Sequence, residues 1–127
     1  MGYWKKPGKY HCKKECKPYI QLYTTEGNYT TTEGNPVRFD ECGPECGFSQ
    51  CRNDIIVDHE GVYFVSFTVD ADGRDDDYIL TVNGAPQNNT EFGNGLLCLK
   101  CGDKLRLIAY EGDASYEAVS LTIFKVN

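Results

Sequence analysis

Apolar residues in this chain recur every second position, not every third or fourth. No window carries them at i, i+3, i+4 and i+7 over three turns, so the helical period is missing. Gly61–Asp70 (GVYFVSFTVD) shows the alternation best, with Tyr63, Val65, Phe67 and Val69 on one face. A two-residue period folds only as strands, and strands need partners to satisfy their backbone groups. Tyr19–Thr25, Thr30–Asp40, Asp54–Asp58, Asp77–Asn83, Gly95–Lys100, Asp103–Tyr110 and Glu117–Val126 read the same way. Gly, Asn and Asp bound them, and the Asn83-Gly84 pair is a hairpin signal. About eight strands with frequent turns predict an all-β antiparallel sandwich or barrel. At 127 residues the chain is one domain, long enough to bury a core.

Charge divides the chain in two. Residues 1–18 hold six lysines and one acid, whereas residues 19–127 hold seven Lys/Arg against eighteen Asp/Glu, a formal charge of −11. The division predicts a basic, cysteine-containing arm over 1–18 and a folded body over 19–127. Opposite charges draw such an arm to a body, its own or a neighbour's. The acidic body argues against nucleic acid as a partner. No apolar run is long enough to span a membrane, and no secretory signal is visible at MGYWKKPGKYHC.

Seven cysteines are the second constraint. They fall as Cys12 and Cys16 on the arm, Cys42, Cys46 and Cys51 in the middle, and Cys98 and Cys101 near the end. That density points to an oxidising final location, and an odd count leaves one thiol for another chain or unpaired. All seven are candidates for intermolecular disulfides, with the arm's two joining a receiving cysteine on a neighbouring body. Purely internal bridges are the alternative. Zinc is a weaker competitor: only Cys98-x2-Cys101 has the preferred knuckle spacing, with His11 as a further donor.

Two strands carry apolar residues on both faces. Val62 and Phe64 oppose the main row of the Gly61–Asp70 strand, and Phe124 and Val126 oppose Val119, Leu121 and Ile123. A sheet with one wet face shows polar residues there. The pattern is explained by a covering loop or by a subunit interface, to which Tyr19 and Leu22 are assigned as well. The Tyr19–Thr25 strand is a candidate for adding to a neighbour's open sheet edge.

Asp70, Asp72, Asp75, Asp76 and Asp77 crowd one loop (DADGRDDD) and make it a candidate calcium site, although the spacing departs from an EF-hand. A solvated hairpin tip that blocks edge pairing is the plain alternative. No catalytic constellation is visible. His11 and His59 are the two histidines, no serine sits in a nucleophile elbow, and no glycine loop precedes a helix. The expectation is a non-enzyme that requires no cofactor.

Four segments together resemble the TNF-like jelly roll, as in complement globular heads and the heads of bacterial spore-surface collagen-like glycoproteins. They are G-x-Y-x-V-x-F at Gly61–Phe67, Y-x-L-x-V-N-G at Tyr78–Gly84, the Leu99–Leu107 stretch around Gly102-Asp103, and A-x-x-L-x-I-x-K-V at Ala118–Val126. The resemblance covers roughly residues 19–127 and implies a jelly-roll β-sandwich that forms homo-oligomers, commonly trimers through one sheet. The chain lacks a Gly-X-Y stalk and carries the cysteine-bearing arm in its place, which is similar to spore appendage subunits. The resemblance therefore implies a self-assembling structural protein of an extracellular or spore-surface fibre. Its subunits would be joined by jelly-roll packing and arm disulfides. The alternative it implies is a trimeric head that binds a surface glycan or receptor. Spore members are made inside the mother cell, which accounts for a missing signal.

Overall fold

The computed structural model describes residues 17–25, 27, 29–51, 54–70, 77–91, 93–110, 112 and 114–127, with the side chains of 50, 51, 77, 114 and 115 left undescribed. The strands are β1 (Tyr19–Tyr23), β2 (Tyr29–Thr31), β3 (Glu41–Cys46), β4 (Phe48–Cys51), β5 (Asp54–Val57), β6 (Gly61–Asp70), β7 (Asp77–Val82), β8 (Ala85–Pro86), β9 (Asn94–Leu99), β10 (Lys104–Tyr110), β11 (Ala114–Tyr116) and β12 (Ala118–Lys125). Among the described residues they form two five-stranded sheets, ordered β3-β1-β12-β6-β9 and β4-β5-β10-β7-β8, with a small β2-β11 ribbon beside them. Every pair is antiparallel. The chain crosses between sheets repeatedly: β6 lies in the first, β7 and β8 in the second, β9 in the first, β10 in the second and β12 in the first. This is a jelly-roll sandwich.

Alternation explains the core. On β6, Tyr63, Val65 and Phe67 point inward and are buried; on β12, Val119, Leu121 and Ile123 do the same. The second sheet answers with Ile55, Leu80, Leu105 and Leu107. Each fully buried Leu or Ile contributes roughly 1.5–3 kcal/mol of transfer free energy, which offsets the entropy of ordering the strands. Tyr63 keeps its hydroxyl satisfied by donating to the His59 carbonyl at 2.6 Å. Burial, the larger cause, and the nearby charges of Asp58 and Cys101 push its pKa up to about 12, so it is protonated at any physiological pH.

Several expectations need correction. Leu22 is fully buried in the core and is not a surface residue. It alternates in phase with Ile20, so burial of Ile20 drags Leu22 inward as well. The Tyr19–Thr25 segment has no open edge to offer, because β1 pairs with β12 on one side and β3 on the other. Over Thr30–Asp40 the chain makes only the end of β2 and a single bridge from Pro36 to Ile108. Val37 and Phe39 are nevertheless both buried, as their shared face predicts. β3 and β4 were not expected. ECGPEC has low strand propensity, and its proline is tolerated because β3 is an edge strand.

A single residue, Gly47, carries the chain from β3 in the first sheet to β4 in the second. Its φ is +82°, and a Cβ there would stand 2.7 Å from the Pro18 side chain. Replacement by alanine meets both obstacles together. Gly47→Ala is expected to destabilise the fold by about 1–3 kcal/mol, read as a lower urea midpoint with an unchanged slope.

The stretch ahead of β3 is tied to the end of β1. The Thr25 amide and hydroxyl donate to the two Asp40 carboxylate oxygens, each at 3.0 Å. The Tyr29 hydroxyl donates to the Thr25 carbonyl at 2.7 Å, and its ring stacks on Tyr116 with centroids 5.2 Å apart. The Thr25 amide bond, first among the causes, holds the Asp40 carboxyl below its ordinary 3.8. A depressed folded pKa means that this tie is complete above the unfolded value and is lost as pH falls through the folded one. The Thr25 amide resonance should titrate with a midpoint below 3.8, and Asp40→Asn should abolish that titration.

Candidate functional site

The outward side of the β3-β1-β12-β6-β9 sheet carries a row of apolar side chains across four strands. Register fixes it: Tyr19 faces Phe124, Phe124 faces Phe64, and Phe64 faces Leu96. The Phe64 and Phe124 rings lie 5.4 Å apart at 46°. Leu96 is 55% exposed and Phe124 40%, high values for large apolar groups on a sheet. Val126, whose amide donates to the Val62 carbonyl at 2.7 Å, and Val62 itself extend the patch. One step along the strands the character changes. Gln21, Thr122, Ser66 and Asn94 form the next aligned row, all polar. Tyr23, Ser120 and Thr68 form the row after that, and with Asp70 they line a shallow depression of 610 Å³.

Of the six residues expected at an interface, the structure brings Tyr19, Val62, Phe64, Phe124 and Val126 onto this face and sends Leu22 inside. Leu96 was missed. Asn94-Gly95-Leu96-Leu97 offers adjacent leucines, and alternation alone does not say which of the two points outward. Phe64, already on the outward face, decides it through its pairing with Leu96.

The thiols sit around the margins of the same sheet. Cys98 lies on edge strand β9 directly opposite Val62, so it borders the apolar row. Cys101 follows in the turn that Asp103 closes by accepting the Lys100 amide at 2.8 Å. Both are exposed thiols. Cys42 is exposed on β3, the opposite edge. Desolvation first, then the charges of Glu45 and Glu41, pushes its thiol pKa up, which leaves less thiolate for exchange at neutral pH. Cys46 is buried beside Gly47 and is disulfide-bonded. Cys12 and Cys16 lie outside the described residues, as does the side chain of Cys51.

The acidic loop is mostly outside the description too. Asp72, Asp75 and Asp76 are not described, and neither is the Asp77 side chain. The Asp70 carbonyl accepts the Glu117 amide at 2.7 Å, which closes the entry to β12. Among the described residues no three His, Cys, Asp or Glu groups converge for a metal. His59 is an exposed turn residue, and Ser49 donates its hydroxyl to Asp58 at 3.3 Å. Among the described residues no helix is long and apolar enough to cross a membrane.

No protein-family model matches the chain, and no curated protein matches it. Solved structures do. The globular domain of the zebrafish complement 1qA protein superposes with a TM-score of 0.68 at 18% identity, over 87% of this chain and 98% of that one. The fold is the TNF-like jelly roll. Eiger TNF from S. frugiperda follows at 0.61 and 16% identity, covering 87% and 94% of the two chains. The PRD1 vertex protein P5 has 0.55 and 16%, covering 87% and 98%. The resemblance of the four strand motifs to this fold therefore holds over the body. In sequence, Cys12 and Cys16 precede β1, whose first residue, Tyr19, belongs to the apolar row.

Accessibility orders the thiols. In native protein under non-reducing conditions, Cys98 and Cys101 should take up a maleimide label within minutes, whereas Cys46 should label only after reduction and unfolding. Peptide mass mapping reads the order, and native labelling of Cys46 would contradict the burial described.

Proposed function

We propose that this chain is a self-assembling structural subunit of an extracellular or spore-surface fibre. Copies would associate through the outward face of the first sheet, and the basic arm would lock neighbours together by disulfides. The observation that carries this reading is the Tyr19–Phe124–Phe64–Leu96 row, solvent-facing apolar side chains aligned across four strands. Such a contiguous patch is costly to leave in water and is typical of a surface that another molecule covers.

The arm supplies the second part of the reading. Its lysines would meet a body of opposite sign, and a sixteen-residue segment can reach at most about 58 Å from Lys17. Joining an arm thiol to a free Cys98 or Cys101 of a neighbour releases two protons and two electrons, so the link needs an oxidant such as molecular oxygen or a small-molecule disulfide, as an oxidising location supplies. Head-to-tail contacts of this kind propagate into a fibre where the rotation between neighbours does not close a ring. The chemistry is structural, not enzymatic, and it requires no calcium, zinc or other cofactor.

A second reading is favoured by the likeness to a complement globular domain. It is a closed trimeric head that binds a surface glycan or receptor.

Mass photometry with negative-stain imaging separates the two. Fibre assembly predicts high-mass species on non-reducing gels that reductant shortens and that deletion of residues 1–17 abolishes. A discrete trimer indifferent to both treatments would favour the head. Phe124→Asp should weaken self-association tenfold or more, roughly the loss of one central apolar contact. A monomer under all conditions would sink both readings.

A further inference from the structure

The second sheet has its own recess, on the side of the sandwich away from the apolar row. It measures 410 Å³ and is lined by Lys104, Arg106 and Ile108 of β10, by Thr81 of β7, and by the Asn83-Gly84 turn. Alternation puts Lys104, Arg106 and Ile108 outward while Leu105, Leu107 and Ala109 enter the core. Thr81 stands directly across from Arg106. In a body with seven cations against eighteen acids, two of the seven therefore share one small cleft.

One carboxylate attends both. The Arg106 Nε donates to Asp54 Oδ1 at 2.5 Å, and Lys104 Nζ stands 3.9 Å from Asp54 Oδ2, beyond hydrogen-bond range. The bond at Nε fixes the plane of the guanidinium and leaves its Nη edge for another acceptor. A second acid stands at the margin, Asp103, which accepts from the Asn83 side-chain amide at 3.0 Å and the Lys100 amide at 2.8 Å. With Asp54 spent on Arg106, the Lys104 ammonium has no carboxylate within hydrogen-bond range among the described residues. Thr81 spends its proton on the Arg106 carbonyl and keeps its lone pairs.

We infer that this cleft binds the carboxylate of an acidic sugar residue, of the uronic or sialic type. A planar carboxylate fits the two-pronged edge of a guanidinium, and Lys104 adds a point charge beside it. The recess lies within the roughly 300–1,000 Å³ of small-ligand sites, far more than a carboxylate alone needs. The backbone at Gly84 offers polar partners for ring hydroxyls and Ile108 an apolar surface for ring C–H groups, whereas Thr81 is nearly enclosed and the Asn83 side chain is spent on Asp103 and the Lys104 amide. The site is on the opposite sheet from the assembly face, so it stands or falls independently of the fibre reading.

The test is an amide-resolved NMR titration of the full chain at low ionic strength, with glucuronic acid, glucose and acetate as parallel probes. Glucuronate should shift Asn83, Gly84 and the 104–108 amides saturably. Glucose should not, and acetate should bind at least about tenfold more weakly. Lys104→Gln, at a side chain 47% exposed that the fold does not need, should cost roughly tenfold in affinity, one charge-assisted hydrogen bond. Asp54→Asn should tighten binding, because it removes the competing carboxylate. The inference is overturned if glucuronate shifts nothing at roughly tens of millimolar, if glucose or acetate matches it, or if Lys104→Gln leaves its affinity unchanged.

Discussion

The seating of β12 between β1 and β6 is the constraint on which the rest of the sandwich depends. It is the one strand that both ties the beginning of the fold to its end and sets the register of the longest strand. Because side chains alternate, a slip of one residue would turn Leu121 and Ile123 out to water and bring Thr122 and Phe124 into the core. Burial of three apolar groups on β12 thus decides, through pairing alone, what its other face displays. The outward row is a by-product of the core's choice of register, and each of its members is held in place by strands that bury something else.

Much of this architecture is legible in the residues. β6 has the same ends in sequence and structure, and β7, β10 and β12 differ by a residue at most ends, because long, strict alternation leaves few alternatives. The Asn83-Gly84 turn is legible for a different reason: its two positive φ angles, 51° and 88°, suit only a few residue types. What failed lies at the edges. β3 has few apolar groups to mark it, and it becomes a strand because β1 presents an unpaired edge that needs partners. That requirement belongs to the assembled sheet and leaves no local trace. The inward turn of Leu22 is the converse case, since the phase of a short strand cannot be read until its neighbours are known.

Function was legible more unevenly. Doubly apolar strands marked the outward face and Tyr19 was named with them, yet nothing showed that Leu96 completes the row, because the four members are scattered from residue 19 to residue 124. The cysteines raised cross-linking as an expectation by number, while their ranking came from placement: Cys46 enclosed, Cys42 discouraged by desolvation and flanking glutamates, Cys98 and Cys101 open. The Lys104/Arg106 cleft had no sequence signal, since alternating cations on a strand look like ordinary solvated residues. Only their convergence with Asp54 and the Asn83-Gly84 turn distinguishes them.

The double pairing of β1 has a mechanical side. Lys17 and Pro18 lead straight into β1, and the Pro18 carbonyl already accepts the Lys125 amide at 2.9 Å. Tension arriving through the arm would run along the axis of a strand clasped on both flanks. Under that geometry the ladder bonds to β3 and β12 are loaded in shear and resist together, instead of peeling open one after another. The polypeptide would then enter its folded body at a place suited to bearing a pull.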